Sequence, residues 1–376
     1  MRDYFNKLAP TRFLFPIDGD CVNTADGIAV EGGIRLVATV QSAPGCRVTI
    51  GGVAAAEQNG VYSAEVEVKG RRTELVAKNH TDGTRAVVAV YFMPRATGKF
   101  RLSSDDNVIF LWDITVNKDV YTSIFDNPYL AVYKKAHDLY GAKIHLNLFY
   151  ELDEKSASKF STERPLFNLS MVRDKFKDEW RANADWLKLS FHAKSEYPNK
   201  PYQFADAETI TRDYLNVRRE VLRFAGEEVF SDVTTVHWGE ANPDCVLALR
   251  NLGHRALTGY FEHTAKGDPL VAYYAPDDLI DHVGARDFFV DTAMGMTFGR
   301  IDLVLNSKTL EWVKEELAKI LDDPHRAGFV SVMIHEQYFY PDYKGYLPDF
   351  EQRVLEAARM ITERGNVGSF VGDVID

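Results

Sequence analysis

The sequence predicts a two-part α/β protein, with an all-β sandwich over residues 1–95 followed by a (β/α) barrel over residues 96–376. Two patterns predict this division. Before residue 95, short runs of alternating apolar and polar residues are separated by turn residues such as Gly51-Gly52 and Asn59-Gly60, which is typical of antiparallel strands. Beyond residue 95, strands alternate with longer helical patterns, which is typical of parallel β/α units.

In the first part, five runs have the composition and alternation of strands. They cover residues 34–40, 47–50, 62–68, 73–78 and 86–92. Because many short strands with turns between them favour two packed antiparallel sheets, we expect a sandwich here.

In the second part, a helix predicted over residues 129–140 ends at Gly141 and leads into an apolar strand over residues 144–149. The same order recurs, with helices predicted at 207–225, 242–252, 309–321 and 349–364 and strands at 233–236, 255–259, 329–334 and near 368–371. At least six units over roughly 275 residues indicate a barrel, for which about 250 residues is typical. A functional site is then expected at the carboxyl ends of the strands.

The composition of the chain limits the kinds of partner that we expect it to bind. The 376 residues carry a net charge of −11 and have a pI near 5.5, which argues against a nucleic-acid or anionic membrane partner, because either would favour a concentrated basic patch. Three cysteines are too few for a disulfide framework and suit a reducing compartment. With no apolar leader or membrane-length run, we expect a cytoplasmic protein; an exported origin stays open if the chain is truncated.

Two polar segments follow predicted strands. Ser104-Asp105-Asp106-Asn107 comes after the run 99–103, and the segment from His192 to Pro198, which includes Glu196, comes after the run 186–191. Since carboxyl ends of parallel strands meet at one rim, these segments bring together three carboxylates and an imidazole. Such a set is enough to hold one divalent metal ion and keep a base beside it.

One rival exists for the first acidic position. Asp113 also follows an apolar run, over residues 108–112. The adjacent pair Asp105-Asp106 is preferred because the stretch 108–140 then forms a long connection that contains a helix. If the strand were 108–112 instead, the base and ligand assignments would both move.

The order of these motifs, together with His335 after the late strand, resembles the polysaccharide deacetylases, which are metal-dependent carbohydrate esterases. The resemblance covers roughly residues 95–376 and implies a distorted (β/α)7 barrel. It also implies that Asp105 is the catalytic base, Asp106 and His192 are metal ligands and His335 is the general acid. The stretch 48–64 resembles bacterial immunoglobulin-like modules, which implies that the preceding sandwich is immunoglobulin-like.

The sequence departs from that family at two places. The second histidine of the family's His-x-x-x-His motif is Glu196 here, and we predict it as the third metal ligand, because carboxylates and imidazoles both bind zinc. Zinc is the first candidate, with manganese, iron or magnesium as alternatives for a more anionic site. The family's Arg-x-Pro-Tyr motif is replaced by the stretch 237–240, which removes the arginine that orients the base. The predicted substrate contacts are His237, Trp238, Glu240, Tyr197 and Tyr338.

The function predicted from these residues is metal-dependent removal of acyl groups, such as acetyl, from a carbohydrate. Two alternatives remain open at this point. One is a non-catalytic carbohydrate-binding or scaffold protein that has kept the barrel. The other is a metal-free glycoside hydrolase that uses carboxylates such as Asp105, Glu196 and Glu240.

Overall fold

A computed structural model describes residues 3–375 and shows a mixed α/β fold. The amino-terminal residues form two five-stranded sheets. In strand order, the first contains Arg12–Phe15, Gly33–Gln41, Val61–Lys69 and Ala56–Gln58, with Gly27–Val30 also paired to Gly33–Gln41. The second contains Cys21–Val22, Arg85–Phe92, Arg72–Asn79, Val48–Ile50 and Val53–Ala54. All five predicted strands are confirmed.

The two sheets enclose one apolar core. Alternation along the strands produces it, as in Val61–Lys69, where Tyr62, Ala64, Val66 and Val68 are buried and the residues between them lie further out. Pairing is antiparallel except between Cys21–Val22 and Arg85–Phe92, which run parallel. These residues therefore form a β-sandwich, while its immunoglobulin-like character remains a prediction.

The remaining sheets are mostly parallel. One contains, in order, Leu187–Ala193, Ile144–Phe149, Lys99–Asn107, Phe329–His335 and Leu303–Val304, with Val367–Gly368 also paired to Lys99–Asn107. The other contains Val233–Thr234, Ala256–Gly259, Met296–Arg300 and Phe288–Asp291, and only the last pair is antiparallel. Two short hairpins accompany them, formed by Glu151–Leu152 with Phe167–Asn168 and by Glu262–His263 with Pro269–Leu270.

The two parallel sheets meet along two seams. At one seam the chain passes directly from Met296–Arg300 to Leu303–Val304. At the other, Leu187–Ala193 and Val233–Thr234 share no continuous ladder. They are joined by an isolated bridge between Leu189 and Phe230, where the Ser231 amide donates to the Leu189 carbonyl at 2.8 Å, and by the Thr234 hydroxyl, which donates to the carbonyl oxygen of Phe191. Over residues 3–375 the sheets therefore do not close into a hydrogen-bonded barrel, and the distorted (β/α)7 barrel remains a prediction.

The five predicted helices are confirmed to within about two residues at each end. They are Pro128–Tyr140, Ala207–Phe224, Pro243–Asn251, Leu310–Asp322 and Phe350–Glu363. The structure adds shorter helices that were not predicted, at Ile109–Val116, Glu154–Ala157, Lys177–Ala182, Asp277–Gly284 and Val371–Val374. Gly141 ends its helix in the left-handed region, at φ 62°, as the sequence predicts.

The sandwich packs directly against the parallel sheets. Tyr4 and Ile17 belong to the large core of the second part, although they precede residue 95. Asp20 contacts His282 at 2.5 Å, and Asp26 pairs with Arg286 at 3.1 Å. A smaller apolar cluster also spans the predicted boundary at residue 95, since it contains Cys21 and Met93 together with Val233 and Phe288. The boundary therefore remains a prediction as a domain boundary. Among the described helices, none is long and apolar enough to cross a membrane.

Candidate metal centre

Irregularities in two strands position the first two polar side chains. Between Ser104 and Asn107, the strand Lys99–Asn107 has one residue more than its neighbour Ile144–Phe149, and Asp106 adopts a left-handed backbone at φ 63°. Successive side chains of a regular strand point to opposite faces, so this bulge is what turns both Asp105 and Asp106 toward one cavity. Aspartate tolerates the left-handed region better than most residues.

A second irregularity occurs at His192. The strand Leu187–Ala193 has one extra residue there relative to Ile144–Phe149, because Phe191 pairs with Leu148 while Ala193 pairs with Phe149. The His192 ring lies 3.1 Å from Asp106, measured from Nε2 to Oδ1. Both histidine and aspartate are thus brought to the rim by bulges, which are frequent beside functional sites.

A third side chain comes from the loop after Val233–Thr234. His237 Nδ1 lies 3.1 Å from His192 Nε2 and 3.4 Å from Asp106 Oδ1. The loop is left-handed at both Trp238 and Gly239, with φ 65° and 55°. A Cβ on Gly239 would lie 2.2 Å from Val271 Cγ1, so only glycine fits this turn, which directs His237 inward.

The outer nitrogens of both rings donate to backbone carbonyls. His192 Nδ1 donates to the carbonyl of Thr235 at 2.5 Å, and His237 Nε2 donates to that of Glu196 at 3.0 Å. A carbonyl oxygen cannot donate, so each outer nitrogen must carry the proton. In their neutral forms, both rings then present a lone pair toward Asp106, which is the arrangement that backbone partners typically impose on metal-binding histidines.

Three electron-pair donors therefore converge within 4.8 Å of one another: Asp106 Oδ1, His192 Nε2 and His237 Nδ1. Their separations of 3.1, 3.1 and 3.4 Å are close to the edges of about 3.4 Å expected between zinc ligands in tetrahedral geometry. Without a cation these lone pairs repel. The residues fit a divalent metal with three protein ligands and an open position.

This group differs from the predicted ligand set at one residue, and the metal ligands remain a prediction. Glu196 is not part of the group, because its carboxylate forms an ion pair with Lys159. Its contribution to the group is the backbone oxygen that holds His237. The third member of the group is His237, which the sequence suggested as a substrate contact.

The carboxylates and the histidines at this group shift the pKa values of one another. Burial alone would raise the pKa of Asp106, but contacts with His192 and His237 outweigh it and hold the pKa well below its usual value. Burial would likewise lower the pKa of His192, but the charges of Asp105 and Asp106 outweigh it and raise the pKa. A proton on the histidines and a metal ion therefore compete for the same lone pairs.

Asp105 lies beside the group and is held by a hydrogen bond from Asn147. Asn147 Nδ2 donates to Asp105 Oδ1 at 2.5 Å, and Asn147 Oδ1 in turn accepts from Ser190 at 2.6 Å. The Asp105 side chain is thereby fixed while remaining on the cavity wall. This is the arrangement expected of a general base that must keep one orientation.

His335 and Gln337 approach from the neighbouring strand Phe329–His335. Backbone pairing places His335 opposite Asp105, and its Nδ1 lies 2.9 Å from Asn306 Oδ1, so Nδ1 donates to that oxygen. Gln337 Nε2 donates to Asp106 Oδ2 at 2.8 Å. His335 thus presents its other ring nitrogen to the cavity, while Gln337 satisfies the carboxylate oxygen that faces away from the histidines.

Glu336, between them, anchors this strand end. Its fully buried carboxylate accepts hydrogen bonds from the backbone amides of Val108, Ile109 and Phe110 at 2.6, 3.0 and 2.6 Å. These amides begin the helix Ile109–Val116, where a negative charge is favourable. The contact fixes the Asp105-Asp106 turn against the segment that carries His335.

The group opens into a cavity of 340 Å³. Its walls include the acidic and histidine side chains above, and also Lys159, Glu196, Thr235, Trp238, Gly239, Tyr260, Leu270, Val271, Gln337, Tyr338 and Tyr343. Of the five predicted substrate contacts, Trp238 and Tyr338 face this cavity beside His237. Glu240 pairs instead with Lys200 at 2.9 Å, and Tyr197 lies under Lys155 at 3.8 Å; neither lines the cavity.

The rival acidic residue lies elsewhere. Asp113 is within the helix Ile109–Val116, where its carboxylate accepts hydrogen bonds from Asn117, Tyr121 and Asn127. The strand Lys99–Asn107 includes the predicted run 99–103 and extends through Asp105 and Asp106, and most of the rival run 108–112 is helical. Sequence reasoning did not single out Asn147, Gln337 or Lys159; the only signal for Asn147 was a polar residue inside an apolar strand.

Comparisons with known proteins add only distant likenesses. No protein-family model and no curated protein sequence matches the chain. Solved structures that resemble it include CE4 family members. A CE4 family pseudoenzyme from Bacillus anthracis is 9% identical over 74% of this chain and 66% of its own, with a TM-score of 0.32. A Streptococcus mutans CE4 esterase is 13% identical over 73% and 85%, with a TM-score of 0.36. A 4-alpha-glucanotransferase from Thermococcus litoralis is 10% identical over 74% and 40%, with a TM-score of 0.44.

Proposed function

We propose that this protein is a metal-dependent hydrolase that removes acyl groups from a carbohydrate. The observation that carries the proposal is the group of Asp106, His192 and His237, whose lone pairs converge because backbone carbonyls hold the outer ring nitrogens. Zinc is the first candidate, since two imidazoles and one carboxylate are a common ligand set of catalytic zinc. Manganese, iron and magnesium are the alternatives.

The remaining residues have complementary roles in acyl hydrolysis. A divalent ion held here would supply Lewis-acid polarisation of the acyl carbonyl and would acidify a water molecule. Asp105, fixed by Asn147, accepts a proton from the attacking water. His335, fixed through Nδ1 by Asn306, delivers the second proton of its imidazolium form from Nε2 to the leaving oxygen or nitrogen of the sugar and is left neutral, with its remaining proton on Nδ1. The products are a carboxylic acid and the free hydroxyl or amine.

The cavity walls favour a carbohydrate substrate. Trp238 is 41% exposed although it lines the cavity, and Tyr338 faces it from another loop. Such amphipathic ring faces can pack against a sugar while hydroxyls bond to the polar groups between them. We further propose that the parallel sheets are a distorted (β/α)7 barrel and that the sandwich is an immunoglobulin-like domain that ends near residue 95.

Metal-free glycoside hydrolysis is less well supported. That mechanism needs two carboxylates flanking the scissile bond. Asp105 and Glu196 both line the cavity, but Glu196 is paired with Lys159, and Glu240 lies outside it.

The proposal is tested by measuring acetate release from acetylated mono- and oligosaccharides after reconstitution with each candidate metal. We expect release that requires metal and is abolished in His192→Ala. The matched control is His263→Ala, since His263 lies outside the cavity and pairs with Asp277 and Asp281; it should keep full activity. Metal-loaded protein that releases no acetate, or that cleaves glycosidic bonds without metal, would contradict the proposal.

A further inference from the structure

A largely buried ion pair lies on the wall of the cavity, next to the candidate metal ligands. It joins Lys159 to Glu196, whose side chains are only 19% and 13% exposed. The same glutamate contacts the ligand group through its backbone, since its carbonyl oxygen accepts from His237 Nε2 at 3.0 Å. The pair thus places a fourth potential ligand beside the group, together with a cation that holds it.

The Glu196 carboxylate has two competing partners in a metal-loaded site. A glutamate oxygen is an ordinary ligand of zinc, and a fourth protein ligand would complete the tetrahedral set, as in structural zinc sites. A catalytic site instead keeps one position for water or substrate. In this structure the carboxylate forms a charge-assisted contact with Lys159 and does not belong to the donor group. Which partner holds Glu196 therefore decides whether a metal position stays open.

Lys159 is held in place by its surroundings. Its neighbour Phe160 forms an isolated backbone bridge with Tyr343, and its ammonium lies 5.1 Å from the centroid of the Tyr197 ring. Burial would lower the pKa of Lys159, but the contact with Glu196 outweighs it and raises the pKa, so the side chain stays charged. The cation is thus a fixed part of the cavity wall.

Loss of the ammonium would leave the Glu196 carboxylate without its partner. Removing one member of a buried ion pair is unfavourable, because the remaining charge is then uncompensated. Asp106 lies on the same cavity wall, and its negative charge repels a second carboxylate. A divalent ion at the ligand group would compensate both charges, so we expect the freed Glu196 side chain to rotate onto it.

We propose that Lys159 is a positioning residue, which keeps Glu196 off the metal and thereby keeps one coordination position open. The inference rests on the metal centre of the proposed function but not on hydrolysis. It also predicts that Lys159 differs from Lys155, which lies 3.8 Å from the centroid of the same Tyr197 ring but does not line the cavity.

Two measurements on zinc-loaded protein test this role, using Lys159→Met. This substitution removes the ammonium and keeps a flexible, unbranched side chain. Crystal structures should show a Glu196 oxygen at about 2.0–2.2 Å from zinc in the variant, and the ion pair with Lys159 in the parent protein. Acetohydroxamate needs an open position on the zinc. By calorimetry it should bind the variant more weakly by roughly 10-fold or more, the scale of outer-shell effects at metal sites.

Two control variants separate this role from a general change of charge. Lys155→Met removes a cation from the same aromatic ring and should keep the parent affinity for acetohydroxamate. Combining Lys159→Met with Glu196→Gln removes the competing carboxylate and should restore that affinity. If Lys159→Met fails to fold, Lys159→Gln replaces it with the same expected loss.

The outcomes distinguish this inference from the proposed function. A Glu196 oxygen bound to zinc in the parent protein, a Glu196 that stays off zinc in Lys159→Met, or an unchanged acetohydroxamate affinity would overturn the role of Lys159 alone. A parent protein that binds no zinc would overturn both proposals. Protein that shows the expected changes but releases no acetate would support the role of Lys159 while contradicting the proposed hydrolysis.

Discussion

The ligand group illustrates how a few backbone irregularities decide which side chains meet. Two consecutive aspartates would point to opposite faces of a regular strand, yet the bulge turns both toward the cavity. The sequence predicted that Asp106 and His192 lie together, because both follow runs that were predicted to be strands. It could not predict the exchange of Glu196 for His237, since that depends on a left-handed turn at Trp238 and Gly239 and on competition from Lys159.

Asp105 allows the chemistry to be separated from metal binding. It lies beside the ligand group but outside it, and Asn147 holds its carboxylate. Replacing it as Asp105→Asn should lower kcat by roughly 10²–10⁴-fold, the usual contribution of a general base, while metal content stays unchanged. Steady-state kinetics on metal-loaded protein measure this; unaltered kcat would assign the base to another residue.

At the scale of elements, hydrophobic periodicity was a good guide. The helix Pro128–Tyr140, the strand Ile144–Phe149 and the helix Ala207–Phe224 agree with their predicted ranges, because each buries one consistent face or is buried throughout. The seam between Leu187–Ala193 and Val233–Thr234 could not be predicted. Its contacts are one isolated backbone bridge at Leu189 and the hydroxyl of Thr234, and hydrophobic periodicity gives no information about either.

Glu336 joins two of these elements. Its buried carboxylate accepts hydrogen bonds from three backbone amides at the start of the helix Ile109–Val116. The substitution Glu336→Ala would leave those three donors without this partner. We expect the free energy of unfolding to fall by roughly 3 kcal/mol, since each unsatisfied buried donor costs about 1–3 kcal/mol and relaxation recovers part of this. Urea denaturation measures it.

The conservative variant provides the control for this contact. Glu336→Gln retains one acceptor oxygen, so it should lose less stability than Glu336→Ala. Equal stability of Glu336→Ala and the parent protein would show that water or a shifted backbone satisfies these amides, and the contact would then not anchor the strand end.

At the scale of the whole molecule, the interior of the parallel sheets is unusually polar. Arg101 is fully buried and bonds to Ser331 at 2.9 Å, His145 at 3.0 Å and Thr258 at 3.0 Å. The sequence gave no indication of this buried guanidinium, because one basic residue in a strand looks like an exposed position. The change from antiparallel to mostly parallel strands was predictable, because it depends only on the change of pattern near residue 95.

Buried neutral histidines should make the metal-free protein sensitive to acid. Burial lowers the pKa of His254 to about 4, and burial with the nearby Arg101 charge lowers that of His145 well below its usual 6.5. As the pH falls below 6.5, these two histidines take up protons in the unfolded chain before they do so in the folded protein. The free energy of unfolding therefore decreases progressively from pH 6.5 toward pH 4. Urea unfolding in chelator at several pH values measures the slope.

A variant isolates the contribution of His254. In His254→Leu the slope between pH 6.5 and 4 should be shallower by about one proton, which corresponds to roughly 1.4 kcal/mol per pH unit. Parallel slopes for His254→Leu and the parent protein would mean that His254 titrates normally in the folded state.

The central claim is that Asp106, His192 and His237 hold one metal ion and that Glu196 does not. Elemental analysis of protein purified without chelator or affinity-tag metal tests it most directly, using Asp106→Ala, His192→Ala, His237→Ala and Glu196→Gln. We predict near-stoichiometric metal in the parent protein and in Glu196→Gln, and loss of metal in the other three variants. Metal retained in His237→Ala and lost in Glu196→Gln, or no metal in the parent protein even after soaking, would contradict the account.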